Sequence, residues 1–163
     1  MFNPSKKLIS FLALLLMTFS MPSFAQKAPD FTLNGDKGKI SLSAYKNQVV
    51  YVDFWASWCK PCQKSFPFMN DMEARYGKKG FKIIAINLDS DRAAAKGFLS
   101  KHPAKFTIAY DPEGKTPNKY KLKVMPTSYL IDRRGNLVNV HKGFKKSQTA
   151  ELEKMIVSTL NKK

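Results

Sequence analysis

The spacing of apolar positions changes several times along this 163-residue chain, and each change marks an element. Residues 49–55, VVYVDFW, are apolar except at Asp53, continuous instead of alternating, and rich in β-branched and aromatic side chains. That pattern predicts a strand covered on both faces, as in a parallel sheet. From about residue 59 to 76 the period becomes helical, with Phe66, Met69, Met72 and Tyr76 along one face as core. Glycines 77 and 80 end that helix, and residues 81–88, FKIIAINL, form a second buried strand. Asp91 is placed to cap a helix through Ser100 that Pro103 stops. Residues 106–110 read as a short strand, followed by the turn Asp111-Pro112-Glu113-Gly114 and a short helix within 115–123. Residues 127–132 and 137–141 flank Arg133-Arg134-Gly135-Asn136 as an antiparallel hairpin. Ser147 is read as the cap of a last helix, where Leu152, Met155, Ile156, Thr159 and Leu160 recur at helical spacing. Ahead of the central strand, residues 28–33 and 39–42 alternate around Asn34-Gly35-Asp36, which predicts another hairpin. The order is hairpin, strand, helix, strand, helix, strand, short helix, hairpin, helix.

The first 25 residues do not belong to this pattern. Lys6 and Lys7, with no acid, precede an apolar run over residues 8–21 that is short for a membrane span and broken by Pro22. Ser23-Phe24-Ala25 offers small residues at signal-peptidase spacing, so residues 1–25 are expected to be an export signal cleaved after Ala25, with an uncleaved anchor as the alternative. Residues 26–163 then form one domain of ordinary size. Losing the two signal lysines lowers the formal net charge from +16 to +14. Such a balance suits nucleic acid, an anionic surface, acidic partners or simply a well-solvated surface, and export disfavours nucleic acid.

The chain has two cysteines, Cys59 and Cys62, and both lie where the central strand gives way to the helix N-terminus. The thiolate is the reactive species, and the free N–H groups and positive dipole end of a helix stabilise it there. Cys59 should therefore ionise and attack, while Cys62, a turn deeper, resolves. Pro61 suits the first turn, where its missing N–H is no loss, and Lys60 adds a positive charge. Lowering a thiol pKa from about 8.5 to about 7 raises the ionised fraction at neutral pH from roughly 3% to roughly half. Weaker basicity takes back about fivefold in nucleophilicity, so the larger effect is a better leaving group and a more oxidising disulfide. A two-residue spacing constrains the unfolded chain too little to serve as a structural staple. Asp53, the one charge in an apolar strand, should be poorly solvated with a raised pKa, a candidate proton carrier for Cys62.

The segment from Asp53 to Cys62, DFWASWCKPC, resembles the active-site segment of thioredoxin, D-F-W-A-x-W-C-G-P-C. Pro67 falls where that superfamily's active-site helix is kinked, Asp53 where it keeps a buried carboxylate, and Pro126 resembles its cis-proline facing the disulfide. Lys60 replaces a Gly, and Met125 the Ile common before that proline. The opening hairpin is similar to that of the extracytoplasmic TlpA/ResA-like branch. The resemblance implies an α/β thioredoxin fold, a central mixed sheet flanked by helices, with an N-terminal β-hairpin extension and an inserted strand-helix unit. It implies a periplasmic thiol-disulfide oxidoreductase with Cys59, Cys62, Asp53 and Pro126 as catalytic residues, Trp58, Lys60, Pro61 and Met125 facing substrate, and no cofactor beyond the Cys59–Cys62 disulfide. Substrates of such relatives include apocytochromes c and copper-site assembly proteins, and a membrane protein of thiol-disulfide type would supply electrons. The interval from Asp89 to Pro126 is too short for the large helical insertion of a DsbA-type oxidant, which favours a reductase.

Other chemistries have less support. A zinc site would need Cys59, Cys62, His102 and His141 without the short spacing of structural sites. A dithiol binding Cu(I) is an alternative, since two thiolates suit a soft ion. A peroxiredoxin-like peroxidase is another, but the Pro and Thr it needs seven and three residues before its cysteine are Val52 and Ala56 here. Lys115, Lys119, Lys121 and Lys123 precede Pro126 and either rim the active site, favouring an acidic partner, or are merely solvated.

Overall fold

A computed structural model of the protein describes residues 26–162; the expected export signal lies outside them. The chain runs β1 (Thr32–Gly35), β2 (Gly38–Ser41), β3 (Val49–Trp55), α1 (Lys60–Tyr76), β4 (Phe81–Asn87), α2 (Arg92–Lys101), β5 (Thr107–Tyr110), α3 (Lys115–Lys119), β6 (Thr127–Ile131), β7 (Leu137–Lys142) and α4 (Thr149–Asn161). The order of elements matches the expected one. All seven strands join one sheet in the order β2-β1-β5-β4-β3-β6-β7. β3, β4 and β5 are parallel, and the two hairpins add antiparallel strands at either edge. This is the mixed sheet flanked by helices of a thioredoxin fold, extended by the N-terminal hairpin.

β3 sits near the middle and every one of its residues is buried, which accounts for its lack of alternation. Successive side chains point to opposite faces. Tyr51 and Trp55 pack in one core with Phe66, Met69 and Met72 of α1, Phe98 of α2 and Ile156 of α4. Val50, Val52 and Phe54 pack in the other with Phe31, Ile84, Tyr120 and Tyr129. Trp55, Phe66 and Phe98 meet with ring centroids 4.7–5.2 Å apart, tying the start of α1 to the end of β3. That contact matters because this junction carries both cysteines.

Two local expectations are corrected. The first hairpin does not turn at Asn34-Gly35: both residues belong to β1, Gly35 pairs with Gly38, and Asp36-Lys37 makes the reversal. A Cβ on Gly35 would come within 2.7 Å of the Ile40 side chain, so the glycine permits close packing, while Gly38 supplies the positive φ of 128°. Ser147 does not cap α4. It lies in a 3₁₀ turn, Lys146–Gln148, and Gln148 occupies the N-cap without a side-chain bond. There the chain is already turning, with Gln148 N–H bonded to the Lys145 carbonyl, so the helix continues a turn and starts without a side-chain cap. Asp91 does cap α2, its carboxylate accepting from Ala93 N–H at 2.8 Å.

Candidate active site

The parallel strands β3 and β4 end side by side, joined by the Leu88 N–H bond to the Trp55 carbonyl. Beyond Trp55 the chain reverses, with Cys59 N–H bonded to the Ala56 carbonyl, and enters α1 with Cys59 at the N-cap. Pro61 sits in the first turn, as expected. Cys59 and Cys62 are joined by a disulfide, with Cα atoms 5.3 Å apart. Cys62 is fully buried, and Cys59 is 5% exposed. Cys59 is thus the member of the pair nearer the surface.

Opposite this pair the Met125-Pro126 peptide bond is cis, in agreement with the resemblance. Pro126 is buried, its carbonyl accepting from Gly143 N–H at 2.7 Å, and Thr127 Oγ1 ties back to the Val124 carbonyl at 2.8 Å. The two segments bound a groove of about 570 Å³. Trp58, Cys59, Lys60 and Pro61 form one wall. Leu122, Lys123, Val124 and Met125 form the other. The four residues expected to face substrate, Trp58, Lys60, Pro61 and Met125, thus come together, and Pro126 stands behind Met125. Of the four lysines ahead of Pro126, Lys123 alone lines the groove: Lys115 pairs with Glu113, and Lys119 Nζ donates to the Asp30 carbonyl.

Asp53 lies on the same face of β3 as Tyr51 and Trp55 and so toward α1. It is 2% exposed, and its Oδ2 has no hydrogen-bond partner among the described residues. Burial holds its pKa well above the usual carboxylate range. Its neighbour in register on β6 is Ser128, whose hydroxyl is hydrogen-bonded to the Tyr51 hydroxyl. Burial, then the Asp53 charge, pushes the Tyr51 phenol up. A carboxyl buried in that way is a stronger base than an exposed one.

One part of the site was not read from the sequence. The Asp89 carboxylate accepts from Ser57 N–H at 3.0 Å, Ser57 Oγ at 2.9 Å and Asn87 Nδ2 at 2.7 Å. Asp89 and Asn87 are buried, and together they hold the loop that leads into Trp58 and Cys59. A usable signal was present: Asn87-Leu88-Asp89 puts two polar residues at the carboxyl end of an apolar strand, where sites of parallel sheets gather. His102 and His141 are not in the groove. His102 packs on Phe98 with ring centroids 4.7 Å apart, and His141 is on β7, its Nε2 buried. Among the described residues no cluster of three or more His, Cys, Asp or Glu could hold a metal.

Comparison with known proteins bears on this geometry directly. The family model described as Redoxin matches residues 24–156. A thiol-disulfide oxidoreductase ResA of Bacillus thuringiensis subsp. konkukian is 38% identical over 119 residues, which are 72% of this chain and 69% of the relative. A crystal structure from Chlorobium tepidum, of a protein assigned as thiol:disulfide interchange protein DsbE, superposes with a TM-score of 0.83 at 50% identity, covering 84% of this chain and 97% of the other. A solution structure from Bacteroides thetaiotaomicron, of a protein assigned as a protein disulfide isomerase, gives a TM-score of 0.77 at 26% identity, covering 85% and 90%. The Redoxin match takes in all seven strands and the joined cysteines, and the chain belongs to that family as a thiol-disulfide oxidoreductase.

Proposed function

We propose that the protein reduces disulfides in other proteins, outside the cytoplasm. The observation that carries this reading is the position of the Cys59–Cys62 pair, with Cys59 at the groove wall and Cys62 fully buried. In the reduced protein the Cys59 thiolate attacks one sulfur of a substrate disulfide and the other leaves as a thiolate. Cys62 then loses its proton, for which Asp53 is the acceptor, and attacks the Cys59 sulfur. The substrate's second thiolate departs, and the Cys59–Cys62 disulfide remains. Two electrons have passed to the substrate, and two thiols have become one disulfide.

The wall residues Trp58, Pro61 and Met125 hold the incoming chain, and cis Pro126 fixes the wall opposite Cys59. The expected export signal at residues 1–25 supports an extracytoplasmic, periplasmic location. Among the described residues no helix is long and apolar enough to cross a membrane. Away from the cytosolic thiol pool the disulfide must be reduced again by a membrane dithiol protein. Apocytochromes c and copper-site assembly proteins are the substrates suggested by the TlpA/ResA-like resemblance. Trapping tests the assignment of roles. Cys62→Ser should accumulate a covalent mixed disulfide with substrate proteins in vivo, and Cys59→Ser should trap nothing. The opposite pattern would reverse the two roles, and no adduct from either variant would remove protein disulfides as the substrate.

A further inference from the structure

Building on that reductase reading, we propose that the groove beside Cys59 selects disulfides in acidic polypeptide segments, with carboxylates flanking the sulfur under attack. The groove combines exposed apolar surface with unpaired positive charge. Trp58 is 69% exposed and Val124 50%, ahead of Val138 and Val140 on β7, the other exposed large apolar side chains among the described residues. Lys60 and Lys123 stand on opposite walls, and no acidic residue lines the groove. Neither lysine makes an ion pair among the described residues. The two carboxylates built into the site cannot serve them: Asp53 is buried in β3, and Asp89 is occupied by Ser57 and Asn87.

The wall that carries Lys123 is fixed before any partner arrives. Tyr120 is buried, Tyr129 donates its hydroxyl to the Tyr120 carbonyl at 2.9 Å, and Lys121 turns the chain with a positive φ of 52°. Leu122 N–H then closes on the Pro117 carbonyl at 2.9 Å. Such preorganisation lowers the ordering cost of binding. An open groove with an apolar floor and a lysine on each wall fits an extended chain that lays apolar side chains on Trp58 and Val124 and carboxylates toward the ammonium groups. Charge also acts on the reaction. A thiolate attacking a disulfide beside carboxylates meets repulsion, and two lysines at the point of attack offset it. The surplus of positive charge over the whole chain would steer the same partners inward.

The test uses the reduced full-length protein and three synthetic disulfide peptides that differ only in the residues flanking the cysteines: Glu, Gln or Lys. Because an exposed ion pair contributes roughly 1.4- to 5-fold, kcat/KM should rank Glu over Gln over Lys with a span of about fivefold or more. The span should shrink between about 0.1 M and about 1 M salt, as the screening length falls from roughly 10 to roughly 3 Å. Lys123→Glu leaves Lys60 facing a carboxylate and should flatten the ranking, and Lys115→Glu, outside the groove, should leave it standing. Equal rates for the three peptides, or a ranking that Lys123→Glu does not change, would overturn the proposal while reduction of the Gln peptide upheld the reductase reading. Failure to reduce any of the three would bring down both. Binding to phosphatidylglycerol vesicles that Lys123→Glu abolishes, without a peptide preference, would assign the lysines to a lipid surface and refute the proposal.

Discussion

Replacing Asp53 by Asn keeps the shape of a side chain that is almost wholly buried and removes its titration. In the folded protein burial raises the Asp53 pKa well above the usual range, whereas in the unfolded chain it titrates near 3.9. Between those values the native state holds a proton that the unfolded state has lost. Stability therefore falls as pH rises through that window, levels off above the folded-state pKa, and carries no such cost below about pH 3.9. The slope reaches about 1.4 kcal/mol per pH unit. With a urea m-value of about 2 kcal/mol/M, the unfolding midpoint moves down by up to about 0.7 M per unit. His141 acts the other way. Burial lowers its pKa, so it costs stability as pH falls below about 6.5, but this contribution is common to both proteins and cancels in the difference. The assay is urea unfolding of oxidised wild type and Asp53→Asn from about pH 4 to about pH 8. The variant's midpoint should gain on the wild type as pH rises toward the folded-state pKa. Any offset from the new amide is independent of pH, so a gap that stays constant across the range would refute the claim of an uncompensated buried carboxyl. The same variant should slow the resolving step and alter its pH profile, because Cys62 loses its proton acceptor.

Two other substitutions probe the surroundings of the cysteines. Asp89→Ala leaves Ser57 N–H and Asn87 Nδ2 without their acceptor and should cost about 2–6 kcal/mol of stability, at roughly 1–3 kcal/mol for each buried unsatisfied group. Chemical denaturation that finds less than about 0.5 kcal/mol would show that the carboxylate does not hold the loop. Lys60→Gly removes a positive charge beside the Cys59 sulfur. At the 0.2–1 kcal/mol typical of an exposed pair, the disulfide should become more reducing by about 5–20 mV. A shift toward a more oxidising potential would mean that the charge does not stabilise the thiolate.

The elements of this fold are legible because their signals are local. VVYVDFW reads as a doubly covered strand since each of its residues is buried, and Asp91 reads as a cap since its partner is two residues away. The cysteine pair is legible for the same reason: four consecutive residues define it. The Ser57–Asp89 bond joins residues 32 positions apart and exists because β3 and β4 run parallel in a register that ends them together. No local period encodes that pairing. Lys123 and Lys115 look alike in the sequence, yet one lines the groove and the other pairs with Glu113, a difference set by the turn at Lys121. The misplaced first turn and the misread cap at Ser147 are likewise cases where backbone pairing outweighed a favourable side chain.

The central claim, that the Cys59–Cys62 pair works as a reductant of other proteins, is tested most directly by its reduction potential. Equilibration of the full-length protein in dithiothreitol buffers of graded composition, followed by alkylation of free thiols, gives that value. With the roles proposed for Asp53 toward Cys62 and for Lys60 toward the Cys59 thiolate, the potential should lie near or modestly above about −270 mV and well below about −120 mV. A reversible potential near about −120 mV would contradict the claim and make the protein a donor of disulfides.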